Sequence, residues 1–176
     1  QGFVNPFFAD QTGFSEDDLK IFWDALREMC RRPELIPLRT TPQHRGNTTF
    51  QHCVNVAIYS FYLSEKWHWR VDIPSMVRGA MLHDFSLFDT RTMGYGELRH
   101  AILHPRLALK RARQYFDLNR TERDIILAHM WPTPGSPMPR TKEALLVNLA
   151  DKHCASMELH RGRRQIPIPN LIKPVE

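Results

Sequence analysis

The chain has 176 residues, 42% of them hydrophobic and 24% charged, with a net charge of +5. That length gives one compact domain with a real core, and no apolar run is long enough to cross a bilayer and no secretory pattern opens the chain. Three scattered cysteines, Cys30, Cys53 and Cys154, exclude a disulfide framework and suit a reducing, cytoplasmic setting.

Every strong periodic signal is helical, so the expected fold is all-α. Gln1-Gly2, with no initiator Met, reads as the remnant of a tag and is set aside. Ser15 opens a helix to Arg31 with Leu19, Phe22, Trp23, Leu26 and Met29 on one stripe, and Pro33 and Pro37 end it. A polar, turn-rich segment leads to a second helix from about Thr48 to Lys66, with Val54, Ile58, Phe61 and Tyr62 facing inward. Pro74 suits the first turn of a third helix, which carries His83-Asp84 at its end.

A loop over 85–97 follows, and His104-Pro105 is expected to open the fourth helix, with Leu107, Ala108, Ala112 and Phe116 inward. Asn119 and Glu122 form an N-x-x-E start for a fifth helix ending at His129, and Thr141 caps a long last one. The tail 161–176 reads as extended and docked on the body. The expectation is therefore a single domain over 3–176, its core at about 41–158, with the helix 15–31 and the tail packed against it.

Nine histidines are many for this length. His52 starts the second helix, His83 and Asp84 close the third, His104 belongs to the fourth, His129 ends the fifth and Asp151 lies midway along the last. A buried carboxylate such as Asp84 or Asp151 stays charged only beside a compensating cation, either a protonated partner or a metal. For Asp151 the competing reading is a surface pair with Lys152, and for each histidine alone it is a hydrogen-bonded core residue. The whole order, one ligand-type residue or pair per helix, is harder to produce by chance. Neutral imidazoles with carboxylates and no thiolate suit iron, manganese or zinc in a site that is not a structural zinc cage.

The pattern of His52, His83-Asp84 and Asp151, in the contexts "TTFQHCVNVA", "RGAMLHDFSLFD" and "LLVNLADKHCA", resembles the HD-domain superfamily of metal-dependent phosphohydrolases. "LHPRLALKRA" and "IILAHMWP" resemble its binuclear branch, in small bacterial proteins. The resemblance implies two divalent ions, iron or manganese first and zinc, nickel or cobalt next. It implies that His52, His83, Asp84 and Asp151 hold one ion, and that His104, His129 and the other oxygen of Asp84 hold the second. The implied reaction is cleavage of a phosphoester of a small molecule, a nucleotide among the candidates, by a hydroxide bridging the metals. The resemblance implies that Asp84 bridges, and Arg106 and Lys152 are candidate catalytic and phosphate-binding cations. His44, Arg45 and Thr48 are further candidates for holding substrate.

The His-Asp pair continues as Phe85-Ser86-Leu87, where cyclic-dinucleotide-cleaving relatives have Ile-Gly-Lys; this points away from that substrate class. Two other readings stay open: a mixed-valent di-iron oxygenase on the same scaffold, and a non-catalytic ligand-sensing domain. The basic run His160 to Arg164 reads as a solvated helix end rather than a nucleic-acid contact, since no recognition motif accompanies it.

Overall fold

The computed structural model describes residues 15–42, 47–86 and 97–161. Among them are six α-helices, α1 (Glu16–Cys30), α2 (Thr49–Lys66), α3 (Ile73–Leu82), α4 (Glu97–Tyr115), α5 (Arg120–Ala128) and α6 (Lys142–Arg161), with a 3-10 helix at Pro33–Arg39 and no strand. The fold is all-α, as the periodicity requires. None of the described helices is long and apolar enough to cross a membrane.

Helix starts follow local chemistry. Ser15, Thr48 and Asp72 accept the N–H of Asp18, Gln51 and Ser75 as N-caps of α1, α2 and α3. Asn119 and Glu122 form a complete capping box at α5. Thr141 accepts the N–H of Ala144 at 3.2 Å and begins α6. Pro33, expected only to end α1, also starts the 3-10 turn that follows.

Helix α2 is buried on nearly all sides and packs against α3 and α6, while α3 also meets α1 and α5. Phe22 of α1 stacks on Phe61 of α2 with ring centroids 4.4 Å apart. Met76, Val77 and Ala80 of α3, Ile125 of α5, and Val147 and Ala150 of α6 complete the centre of the core. Tyr62, expected inward, is only half-buried at its margin. Cys53 and Cys154 are buried free thiols, as their apolar contexts suggest.

Two contacts fix where the ends of α3 and α5 lie. Gly79 approaches Ile125 so closely that a Cβ at residue 79 would fall 2.5 Å from Ile125 Cδ1 and 2.9 Å from its Cβ. A side chain there would force the helices apart. At the other end of α5, Arg78 Nε donates to Glu122 Oε1 at 2.6 Å and a terminal nitrogen donates to the Asp117 carbonyl at 3.1 Å.

The fourth helix corrects one expectation. His104-Pro105 does not open it: α4 begins at Glu97, and both residues lie inside. Proline has no N–H for the carbonyl four residues back, and the helix continues through the gap. Ser86 donates its hydroxyl to the His104 carbonyl at 3.1 Å, a tertiary bond at this point that the local sequence does not announce. The loop expected at 85–97 falls largely, and the tail at 161–176 almost wholly, outside the described residues.

Candidate metal centre

Six ligand-type residues from five helices or helix ends converge. His52 comes from the first turn of α2, His83 and Asp84 from the end of α3, His104 from α4, His129 from the end of α5 and Asp151 from α6. They form two triads, His52–His83–Asp151 and Asp84–His104–His129, each with its donor atoms within 4.8 Å of one another. The imidazoles run as a chain, with centroids 5.5 Å apart for His52–His83, 4.9 Å for His83–His129 and 4.8 Å for His129–His104. All four histidines and Asp84 are buried.

Asp84 stands between the triads. Its Oδ2 is 3.5 Å from His83 Nε2, while its Oδ1 is 3.5 Å from His104 Nε2 and 3.7 Å from His129 Nε2. Asp151 Oδ1 is 3.0 Å from His52 Nε2 and 3.8 Å from His83 Nε2. The surface pairing of Asp151 with Lys152 does not form in these contacts. Lys152 instead donates to the His129 carbonyl at 3.0 Å.

The ring orientations decide what the inward nitrogens offer. His83 Nδ1 lies 2.7 Å from the Ala80 carbonyl, and His129 Nδ1 lies 2.8 Å from that of Ile126. A carbonyl accepts only, so in each neutral ring the proton sits on Nδ1 and the inward Nε2 carries a lone pair. His83 Nε2 is buried with no hydrogen-bond partner. It nevertheless faces carboxylate oxygens of Asp84 and Asp151. His129 Nε2 likewise sits 2.7 Å from His104 Nε2. Lone pairs converging on carboxylates in a buried space need a cation, a proton or a metal ion, between them. The donor set of imidazole nitrogen and carboxylate oxygen fits a divalent transition metal at each triad.

The charges of the metal-free site respond accordingly. Burial opposes protonation of His52, but hydrogen bonds to Asp151 and Glu158 outweigh it and push its pKa up to about 10. Burial likewise opposes charge on His83, but Asp84 and then Cys53 raise it well above the ordinary value. Burial works against the Asp84 carboxylate, yet His83 and then His104 hold it well below the usual range. Asp151 is also held low against its burial, first by its hydrogen bond to His52 and then by the nearby His83 ring. His129 goes the other way: burial, then His104 and His83, push it down to about 3.

A metal must displace the proton on His52, which gives a signed prediction. Below about 10 the metal-free ring is protonated. His83, a donor to the same ion, is also held protonated, so each unit of pH below that value is expected to cost at least about tenfold in apparent affinity, and about a hundredfold where both rings must lose a proton. Calorimetric titrations in buffers of different ionisation enthalpy should show proton release on metal binding at neutral pH. Binding without proton release, and with affinity independent of pH, would contradict this assignment.

The remaining candidates stand apart or have other work. Arg106 is exposed on α4. The Thr48 hydroxyl accepts the Gln51 N–H as the cap of α2. His44 and Arg45 lie outside the described residues. Lys152, with its bond to His129, has its charged form disfavoured by burial, which outweighs the help of Asp151.

Two residues at the site escape a reading of the sequence. Glu158 brings its carboxylate within 3.1 Å of His52 Nδ1. Its only sequence signal is its place seven residues beyond Asp151, on the same face of the helix. The Asn148 amide nitrogen lies 3.1, 2.7 and 2.7 Å from the carbonyls of Ala128, His129 and Trp131, which share its two N–H groups. It thereby holds the end of α5 against α6, with a single amide that pattern reading counts as ordinary helix.

No curated protein and no solved structure matches the chain. The sequence model of the HD domain matches residues 49–156, from the helix that carries His52 to the one that carries Asp151. With more than half of its length matched, and with the His-Asp pair at the junction of two triads, the chain belongs to the HD-domain family.

Proposed function

We propose that the protein is a metal-dependent phosphohydrolase acting on a small phosphorylated molecule, a nucleotide among the candidates. Membership of the HD-domain family suggests metal-dependent hydrolase chemistry. The observation that carries the proposal is the pair of triads on either side of Asp84. His52, His83, Asp84 and Asp151 would hold one ion, and His104, His129 and Asp84 the second. Such ions supply charge that polarises a phosphoryl oxygen and lowers the pKa of a water.

The chain's own residues do the rest. His83 and His129 are oriented by main-chain carbonyls, so their donors need little rearrangement. The low pKa of His129 keeps its ring neutral and available as a donor at physiological pH. Lys152, held at the His129 carbonyl, steadies the end of α5 and brings positive charge beside the site. Arg106, exposed two residues beyond His104, is the candidate for meeting the phosphate from the solvent side. The net charge of +5 favours an anionic substrate.

The test is metal content by mass spectrometry on protein purified without chelators, paired with phosphate release from nucleotides and simple aryl phosphates. Roughly two ions per chain and metal-dependent phosphate release are expected. A metal-loaded protein that turns over no phosphoester but consumes O2 would overturn the proposal in favour of an oxygenase. A chain that takes up no metal would overturn the enzyme reading altogether.

A further inference from the structure

Each imidazole of the centre has a second nitrogen, and what that nitrogen touches differs in a way that follows from helix geometry. His83 and His129 sit just past the ends of α3 and α5. The carbonyls of Ala80 and Ile126 lie in the last turns, where carbonyls lack helical partners, and each accepts from the Nδ1 of the histidine three residues on. His52 has no such resource. It lies in the first turn of α2, where the carbonyls behind it are taken up by the helix that follows. Its Nδ1 must find a partner from elsewhere.

That partner is Glu158. Both carboxylate oxygens lie 3.1–3.2 Å from His52 Nδ1, and the Glu158 side chain is only 6% exposed. The carboxylate is itself fixed: Asn55 donates its amide N–H to Oε1 at 3.3 Å, and Gln51 donates to the Asn55 oxygen at 2.9 Å. Gln51, His52 and Asn55 occupy neighbouring turns of α2, so one helix supplies the ring and the braces of its partner. Helix α6 supplies carboxylates to both ring nitrogens, Asp151 to Nε2 and Glu158 to Nδ1.

We propose that Glu158, braced by Asn55 and Gln51, is a positioning residue that fixes the ring and tautomer of His52 for metal binding. A carboxylate accepts and cannot donate, so it demands the proton on Nδ1 and leaves Nε2 as the donor to the ion. Its negative charge also makes the imidazole a stronger ligand. The proposal rests on the reading of His52 as a metal donor, and it adds a carboxylate–histidine–metal relay to one triad. The second triad has no equivalent for His129, whose ring is held by a neutral carbonyl.

The test compares wild type with Glu158→Gln, which keeps shape and a neutral acceptor, and Glu158→Ala. Affinity for Co2+ is measured by chelator competition, and the His52 tautomer by ring nitrogen shifts in Zn2+-loaded protein. Thermal melts establish that each variant is folded. Glu158→Gln is expected to weaken one of the Co2+ binding events about 10- to 100-fold and leave the other unchanged. Glu158→Ala should weaken the same event further, and the single Nδ1-protonated signal of His52 should give way to a mixture. Should the alanine variant not fold, the glutamine variant decides alone. Unchanged affinity, or an equal weakening of every event as in a general loosening, would overturn the role of Glu158 while leaving the metal centre standing. Wild type that binds no Co2+ would instead overturn the metal-centre reading beneath it.

Discussion

Asp84→Ala is expected to lose both metal ions, not one. The two oxygens of Asp84 face different triads, Oδ2 towards His83 and Oδ1 towards His104 and His129. Removing the carboxylate takes a ligand and a negative charge from each side at once. It also leaves His83, His104 and His129 clustered without the anion that offsets a cation among them. Loss of an outer partner of a ligand typically costs 10–100-fold in affinity, so loss of a shared ligand should cost more than about 100-fold for each ion. Phosphate release should fall with it. His104→Ala is the matching control, since that residue reaches only one triad and should spare the other ion. Measured stoichiometry and affinity decide between these outcomes. An Asp84→Ala protein that still binds two ions as tightly as wild type would show that the carboxylate is a structural partner of His83 and not a bridge.

The second large effect is on stability and lies away from the metal. Glu122→Ala removes two arrangements together. Oε1 accepts from Arg78 at 2.6 Å, and Oε2 accepts the Asn119 N–H in the capping box of α5. The Glu122 side chain is 3% exposed and that of Arg78 23%, so the variant would leave a largely buried guanidinium with only the Asp117 carbonyl for company. Breaking such a pair costs about 3–5 kcal/mol when fully buried, and partial exposure of Arg78 argues for the lower end. Loss of the cap partner adds a smaller destabilisation. A net destabilisation of about 3 kcal/mol is expected from urea unfolding, with an unchanged slope. Glu122→Gln keeps a neutral acceptor for the cap and should lose less. A loss below about 1 kcal/mol for the alanine variant would place this contact among ordinary surface pairs.

Much of the helical framework is legible in the sequence itself. The capping box at Asn119 and Glu122, the Ser15 and Thr141 caps and the buried stripes of α1 and α2 rest on local spacing, which the sequence carries directly. The six ligand-type residues were legible because chemistry that needs imidazole and carboxylate together leaves few substitutes, and because His83-Asp84 stand adjacent. Their convergence on one centre depends on how five elements pack. His104-Pro105 misled because proline favours the first turn of a helix, whereas here α4 runs through it. Glu158 was invisible for a different reason. A glutamate near the end of a polar helix is ordinarily solvated, and only the approach of α2 to α6 turns it inward. Lys152 had the right charge for phosphate, but its partner at the His129 carbonyl is set by the α5–α6 packing that Asn148 also serves.

The contact of Gly79 with Ile125 gives this centre a spacer made of hydrocarbon. His83 and His129 each follow that contact by four residues, about one helical turn. The span between their rings is thus set by how far α3 and α5 stand apart at a point where neither carries a polar side chain. The separation of the two triads can therefore be altered by a methyl group at residue 79 or 125 while all six ligand-type residues are retained.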